Sequence, residues 1–271
     1  MGTYNLILHY LSQTFNKGFN TAILLFVCLF FQTDATASLV EKVKQTSSSV
    51  VAIGLSTPIE SDKPVLLGTG FVVGNGKYVV TNYHVVSKEL ETQIVQRYVA
   101  MSGSGQIIGV HPLEILGIDP VHDLAILKIT DNSKLPSLEL NNNDLLDAGT
   151  DVYFTGFPIG AVLGLYPASH RGMIAAIAPD VNPARNANEL TLKMLKRLKQ
   201  PFMIYQLDAT AYPGNSGSPV FNVDTNTVIG IINKVFVSGG KEAALSNPSG
   251  ISYAIPVRHL RKLALDNGLR L

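Results

Sequence analysis

A serine hydroxyl is a weak nucleophile at neutral pH unless a neighbouring base takes its proton. Three stretches of this 271-residue chain hold the groups for that task. Thr81-Asn82-Tyr83-His84-Val85-Val86 places a histidine just after an apolar run. His122-Asp123-Leu124-Ala125-Ile126-Leu127-Lys128-Ile129 sets an acid at the lip of a strongly apolar strand, and Gly214-Asn215-Ser216-Gly217-Ser218-Pro219 puts a serine in a glycine-flanked turn before another strand. Each has an ordinary explanation by itself: a solvated histidine, a strand-edge carboxylate, a tight turn. Together they fit acyl transfer. His84 would accept the Ser216 proton, and Asp123 would fix the ring tautomer and stabilise the imidazolium. The N–H groups of Gly214 and Ser216 would form an oxyanion hole for the substrate carbonyl oxygen, one such donor being worth about 3 to 4 kcal/mol. Glycine suits position 214 because it tolerates backbone angles closed to other residues.

The elements that must position these groups are mostly short β-branched runs punctuated by Gly, Asn, Asp and Pro. Ser49–Leu55, Gly70–Val73, Tyr78–Thr81, Leu124–Ile129, Val152–Thr155, Gly172–Ile177, Met203–Leu207, Pro219–Asn222, Val228–Asn233 and Ile251–Ile255 read as strands, a pattern that predicts an antiparallel barrel or sandwich. Three segments read as helices: Leu39–Gln45, the stretch after Pro256 with Val257, Leu260, Leu263 and Ala264 on one face, and Glu189–Lys199 with a stripe of Leu192, Leu195 and Leu198. Ser102-Gly103-Ser104-Gly105 reads as a flexible link, and His111, His122 and His170 as surface residues.

Composition excludes several other functions. Charged residues make up 15% of the chain, below the roughly 25% of an ordinary soluble domain, and 21 basic against 20 acidic residues leave a net charge of +1. Such a chain has no phosphate-neutralising field, so no nucleic-acid partner is expected. The single cysteine, Cys28, rules out an internal disulfide framework and any cysteine-based metal site. There is no HExxH and no Walker loop, and Gly68-Thr69-Gly70 opens a strand, so neither metal nor organic cofactor is expected. Residues 1–37 read as an export signal: Lys17 precedes the 14-residue apolar run Gly18–Phe31, and Ala35-Thr36-Ala37 supplies the small-x-small cleavage pattern. Cleavage there leaves 234 residues beginning at Ser38, in the periplasm or outside the cell; without cleavage the segment would be a membrane anchor.

The order His84, Asp123, Ser216, with Gly68–Val73 (GTGFVV) before and Gly250–Leu260 (GISYAIPVRHL) after, resembles the HtrA/Deg family of trypsin-like serine endopeptidases, and the likeness runs from Leu39 onward. The resemblance implies an all-β fold of two perpendicular six-stranded antiparallel barrels with a C-terminal helix and the active site between the barrels. It also implies polypeptide substrates, unfolded envelope proteins among them. Homo-oligomers occur in the family, although the N-terminal aromatic residues that usually support a trimer are not evident between Ser38 and Ser49.

Some positions depart from the family pattern. Ser218 stands where most members have a second glycine, and GNSGSPV is instead similar to the glutamyl endopeptidase branch. That branch uses a histidine near the pocket wall, whereas the corresponding strand here reads Ile229-Gly230-Ile231-Ile232-Asn233. With small, uncharged Thr210 and Ala211 at the pocket base and Ile231, Ile232 and Asn233 on its wall, cleavage after small or medium aliphatic residues is expected. Only 15 residues follow Pro256, so the expectation is a protease domain without a PDZ domain. Residues 181–202 are longer than the family counterpart and would form a surface helix or a lid. Asn215 replaces the acid that pairs with a new N-terminal amine in digestive relatives, so no propeptide cut is needed for activity. Two rival readings are an inactive trypsin-like binding or chaperone protein, and an α/β-hydrolase esterase with Ser216 as nucleophile and His259 as base, which would need a strand-to-helix elbow.

Overall fold

Ser38 starts the first helix. Its hydroxyl accepts from the Glu41 N–H (3.3 Å) while its own N–H donates to the Glu41 carboxylate (2.8 Å), a reciprocal cap for α1, Leu39–Ser47. The structure is a computed structural model that describes residues 37–142, 144–158, 164–180, 201–235 and 250–271. The expected export signal (apart from Ala37), the helix Glu189–Lys199 and nearly all of the 181–202 insert lie outside the described residues. Met1–Ala37 separates from Ser38–Leu271 as a unit of its own. Among the described residues no helix is long and apolar enough to cross a membrane.

Twelve strands close two barrels. The first contains β1 (Val50–Ser56), β2 (Val65–Val73), β3 (Tyr78–Thr81), β4 (Arg97–Ser104), β5 (Ile107–Asp119) and β6 (Leu124–Ile129), in the order β1-β2-β3-β6-β5-β4. The second contains β7 (Asp151–Gly156), β8 (Ala168–Pro179), β9 (Met203–Asp208), β10 (Pro219–Asn222), β11 (Val228–Val235) and β12 (Ile251–Pro256), in the order β10-β11-β12-β9-β8-β7. Helix α2, Val257–Asp266, follows directly on β12. All pairings between these strands are antiparallel, so the alternating strands and helices of an α/β-hydrolase are not present in the described residues.

Each barrel is filled by its own apolar residues: Ile53, Val72, Val79 and Leu127 in the first, Phe154, Ile174, Leu207 and Ile229 in the second. A third cluster joins them. Phe71, Leu124 and Ile126 of the first barrel pack with Phe221, Ile231 and Ile255 of the second and with Leu260 and Leu263 of α2. A fourth adds Val50, Val99 and Met101 against Phe157 and Leu165. Burying these side chains is the main stabilising term and fixes one barrel against the other.

The residue pattern marks ten strands, and twelve are found among the described residues. The missing pair is β4 and β5, and Ser102–Ser104, read as part of a flexible link, instead ends β4 and pairs with Ile107–Gly109. The histidine expectations also need correction. His111 is 9% exposed, His122 bonds Asp119 and stacks on His259, and His170 stacks on Phe154 with burial holding its pKa below the ordinary value.

Candidate active site

The two ends of the site come from different barrels. Thr81 closes β3, and the chain then enters a 3-10 turn, Tyr83–Val85, that carries His84. Asp123 sits immediately before β6 with φ of 53°, a left-handed backbone that costs a non-glycine residue on the order of 1 kcal/mol. Its carbonyl is pinned by the Tyr83 N–H (3.1 Å) and by Asn82 Nδ2 (3.0 Å), which hold this strained geometry in place.

The Asp123 carboxylate faces three donors. Oδ1 accepts from the His84 backbone N–H at 2.8 Å; Oδ2 lies 2.6 Å from His84 Nδ1 and accepts from Asn233 Nδ2 at 3.1 Å. A carboxylate only accepts, so Nδ1 carries the proton and Nε2 of the neutral ring keeps its lone pair, as a general base requires. Asn233 also receives the other end of the site: Ser216 Oγ donates to its main-chain oxygen at 3.4 Å. In this structure the hydroxyl makes that bond and none to the His84 ring. Asn233, expected on the pocket wall, thus bonds both Asp123 and Ser216.

The turn carrying Ser216 is held by bonds that leave two amides free. Gly214 has φ of 100° and Gly217 of 91°, both in the region that glycine occupies without strain. Asn215 N–H donates to Tyr212 O, Ser218 N–H to Asn215 O, and Gly217 N–H to Ile232 O. Neither the Gly214 nor the Ser216 N–H has an acceptor among the described residues, the state an oxyanion hole needs.

The sequence reading missed the residue that clamps this turn. Thr69, fully buried in β2, donates its hydroxyl to Gly214 O (2.7 Å), accepts from Phe157 N–H (3.0 Å), and gives its own N–H to Ser216 O (2.9 Å). Thr81 in turn donates to Thr69 O at 2.7 Å. Gly68 and Gly70 around it were the available signal. A Cβ on Gly68 would lie 3.0 Å from Ser216 O, so only glycine lets β2 come this close. Beneath the turn, the Asn215 side-chain amide and the Ser218 hydroxyl are buried without hydrogen-bond partners among the described residues, packed against the bare backbone of Gly156.

The remaining candidates are placed unevenly. Ala211, Ile231 and Ile232 are buried at 0–1% exposure with their side chains in the core, so they can meet a substrate through backbone only. The Ala211 N–H already donates to Ser252 Oγ (3.0 Å). Thr210 and Asn233 are partly exposed. A cleft of about 340 Å³ opens on the histidine side, lined by His84, His122, Asp123, Asp180, Phe202 and Asn233 among others. His259 is not in it: burial first, then His122 and Arg258, push its pKa down to about 4. Among the described residues no group of His, Cys, Asp and Glu is arranged to hold a metal.

Comparison with known proteins gives the family. Residues 68–231 match the trypsin-like peptidase domain. A probable periplasmic serine endoprotease, DegP-like, from Chlamydia trachomatis is 32% identical over 211 residues, 75% of this chain and 35% of that protein. Its counterpart from Pseudomonas fulva is 31% identical over 195 residues, 70% of this chain and 32% of the relative. The chain thus spans about a third of the length of these relatives. Among solved structures, Deg5 superposes with a TM-score of 0.56 at 25% identity over 82% of this chain and 90% of its own. The serine endoprotease from Yersinia pestis gives 0.58 at 23% identity, over 85% and 66% respectively, a likeness of fold. With the matched domain covering both His84 and Ser216, the chain belongs to the trypsin-like peptidase family, with HtrA/DegP proteases among its relatives.

Proposed function

We propose that this protein is a serine endopeptidase that cleaves polypeptides through an acyl-enzyme on Ser216. The observation that carries the reading is the hydrogen-bonded run from His84 to Asp123 to Asn233 to Ser216, beside two uncommitted N–H groups. As Ser216 Oγ attacks the scissile carbonyl carbon, its proton passes to His84 Nε2 and the carbonyl oxygen takes up charge beside the Gly214 and Ser216 amides. The tetrahedral species then breaks its C–N bond, and His84 returns the proton to the leaving amine. Water repeats the sequence in reverse to free the acid. Attack requires the Ser216 hydroxyl to rotate from Asn233 O to the His84 ring, and such bonds tighten when substrate binds.

A fluorophosphonate should label native protein on the peptide containing Ser216, located by mass spectrometry, and Ser216→Ala should lose that label together with turnover of an unfolded polypeptide. A Ser216 that stays unlabelled in folded native protein would support the second reading, an inactive trypsin-like binding protein, which the Ser216–Asn233 bond favours. In a peptide library, cuts after small or medium aliphatic residues are expected; cuts mainly after Glu, Lys or Arg would refute the assigned pocket. The DegP-like relatives are named periplasmic, which supports export of this chain as well. The exported protein should then have the mass of a chain beginning at Ser38, and retention of residues 1–37 would indicate an anchor instead.

A further inference from the structure

A second hydroxyl–imidazole–carboxylate relay is built into the first barrel. Ser102 is near the end of β4, His111 lies in β5, and Asp131 follows β6. Ser102 Oγ is 2.9 Å from His111 Nε2, and His111 Nδ1 is 3.1 Å from Asp131 Oδ2. The carboxylate sets the direction of both bonds. Burial pushes the Asp131 carboxyl up, but the Ser133 N–H (2.8 Å to Oδ1) and the His111 ring outweigh it and hold it below the usual carboxylate range. Asp131 is therefore ionised at neutral pH and only accepts. In the neutral ring His111 Nδ1 then carries the proton, Nε2 keeps the lone pair, and Ser102 donates into it, which is the arrangement that activates a serine.

The relay is braced from two sides. The His111 side chain is 11% exposed, and Lys77 Nζ donates to the Asp131 main-chain oxygen at 2.6 Å. Gly109 pairs directly with Ser102 across the hairpin. A Cβ at Gly109 would lie 2.8 Å from Ser102 Oγ and 2.9 Å from His111 Nε2, so the glycine both permits the bond and leaves a notch over it. Ile107 is two residues along the same strand on the same face, diagonal to Ser102, and 86% exposed. It offers an apolar rest beside the hydroxyl.

We propose that Ser102 is a second activated nucleophile, with His111 as its base, that takes acyl or phosphonyl groups from small apolar aryl esters and fluorophosphonates. In the acyl case Ser102 Oγ bonds to the ester carbonyl carbon, its proton goes to His111 Nε2, and the C–O bond to the phenol breaks with that proton leaving on the phenol. Water then releases the carboxylic acid by the same route. With a fluorophosphonate, Ser102 Oγ bonds to phosphorus while its proton passes to His111 Nε2, the P–F bond breaks, fluoride leaves, the imidazolium gives its proton to solvent, and the phosphonyl group stays on Ser102. Nothing among the described residues here matches the free N–H pair of Gly214 and Ser216, and such donors are worth about 10²–10³ in rate each. Peptide bonds are therefore not substrates, and the leaving group must be a good one. Asp131 is a positioning residue that acts through His111.

The test uses the full chain carrying Ser216→Ala, which removes the other nucleophile, with p-nitrophenyl acetate and an alkyl fluorophosphonate as probes. Phosphonylation mapped to Ser102, at least tenfold faster than for the same chain unfolded in urea, is expected, with a matching burst of p-nitrophenol. Adding Ser102→Ala should abolish both. Adding Asp131→Asn, which leaves hydroxyl and imidazole in place but removes the negative charge and, with Oδ1 held by the Ser133 N–H, turns an NH2 donor toward His111 Nδ1, should slow labelling at least tenfold. Ser102→Ala alone should leave peptide hydrolysis unchanged. Labelling of Ser102 no faster than in the unfolded chain, or equal labelling with Asp131→Asn in a folded protein, would overturn the proposal. Because the label is mapped to a peptide, failure at Ser102 and failure at Ser216 are separate results.

Discussion

Replacing Thr69 by valine removes one hydroxyl without changing the shape of the side chain, and the structure gives the size of the effect. That hydroxyl joins Gly214 O at 2.7 Å and Phe157 N–H at 3.0 Å in a fully buried setting. Each buried group left unpaired costs about 1–3 kcal/mol, so the two together cost about 2–6 kcal/mol. A typical domain has a stability of about 5–15 kcal/mol, so a loss in the lower half of about 2–6 kcal/mol leaves the chain folded. Gly214 has a cheaper way out, because a glycine with φ of 100° can turn its carbonyl toward solvent. That rotation swings the Asn215 N–H of the same peptide off Tyr212 O, so the turn that aims the Gly214 and Ser216 N–H groups is no longer held, and kcat would fall about 10²–10³-fold with KM little changed. Thr69→Ser keeps the hydroxyl and loses a methyl, worth about 1 kcal/mol of stability and little rate. Steady-state kinetics on a fluorogenic peptide, with urea midpoints for both variants, would decide. A folded valine variant whose kcat is within threefold of the serine variant would show that the clamp does not hold the oxyanion donors.

Two further outcomes follow from neighbouring geometry. Gly156→Ala should cost about 1–3 kcal/mol by overpacking and reduce turnover more than tenfold. Its Cβ would collide with Ser218 Oγ and sit 2.7 Å from Asn215 Oδ1, and adding Ser218→Gly should restore part of both losses, as a double-mutant cycle would read. His259, held at a pKa of about 4 by burial, His122 and Arg258 against the opposing pull of Asp119, binds its proton more readily in the unfolded chain, where the ordinary value is 6.5. Stability should therefore be fully present above pH 6.5 and fall between pH 6.5 and 4, by about 2 kcal/mol once partial exposure is discounted; chemical denaturation across that range should show the slope, and His259→Leu should flatten it.

The segments around His84, Asp123 and Ser216 were legible as elements, because each borders an apolar strand whose pattern is plain. Leu124–Ile129 and Pro219–Asn222 are found with the boundaries their residues suggest. The hairpin of β4 and β5 was hidden. Ser102-Gly103-Ser104-Gly105 has linker composition, and Gly109, Pro112 and Gly117 interrupt β5, which tolerates them through a bulge between Ile115 and Gly117. Closing a barrel supplies partners that local composition does not announce. Thr69 escaped notice for a related reason: its partners, Gly214, Ser216 and Phe157, lie far along the chain, and its burial exists only once the barrels meet. His111 and His122 looked like solvated histidines because their carboxylates, Asp131 and Asp119, are ordinary loop or strand-end acids until the fold pairs them.

Helix α2 packs on β5 and β6 of one barrel and on β11 and β12 of the other, through Leu260 and Leu263. It begins about forty positions after Ser216 in the sequence. A chain whose synthesis stalls before Val257 has all its reactive groups but no brace to keep His84 and Asp123 facing Ser216. Carrying the reactive side chains and holding them face to face are thus separable properties of this fold, the second depending on apolar contacts made well away from the chemistry.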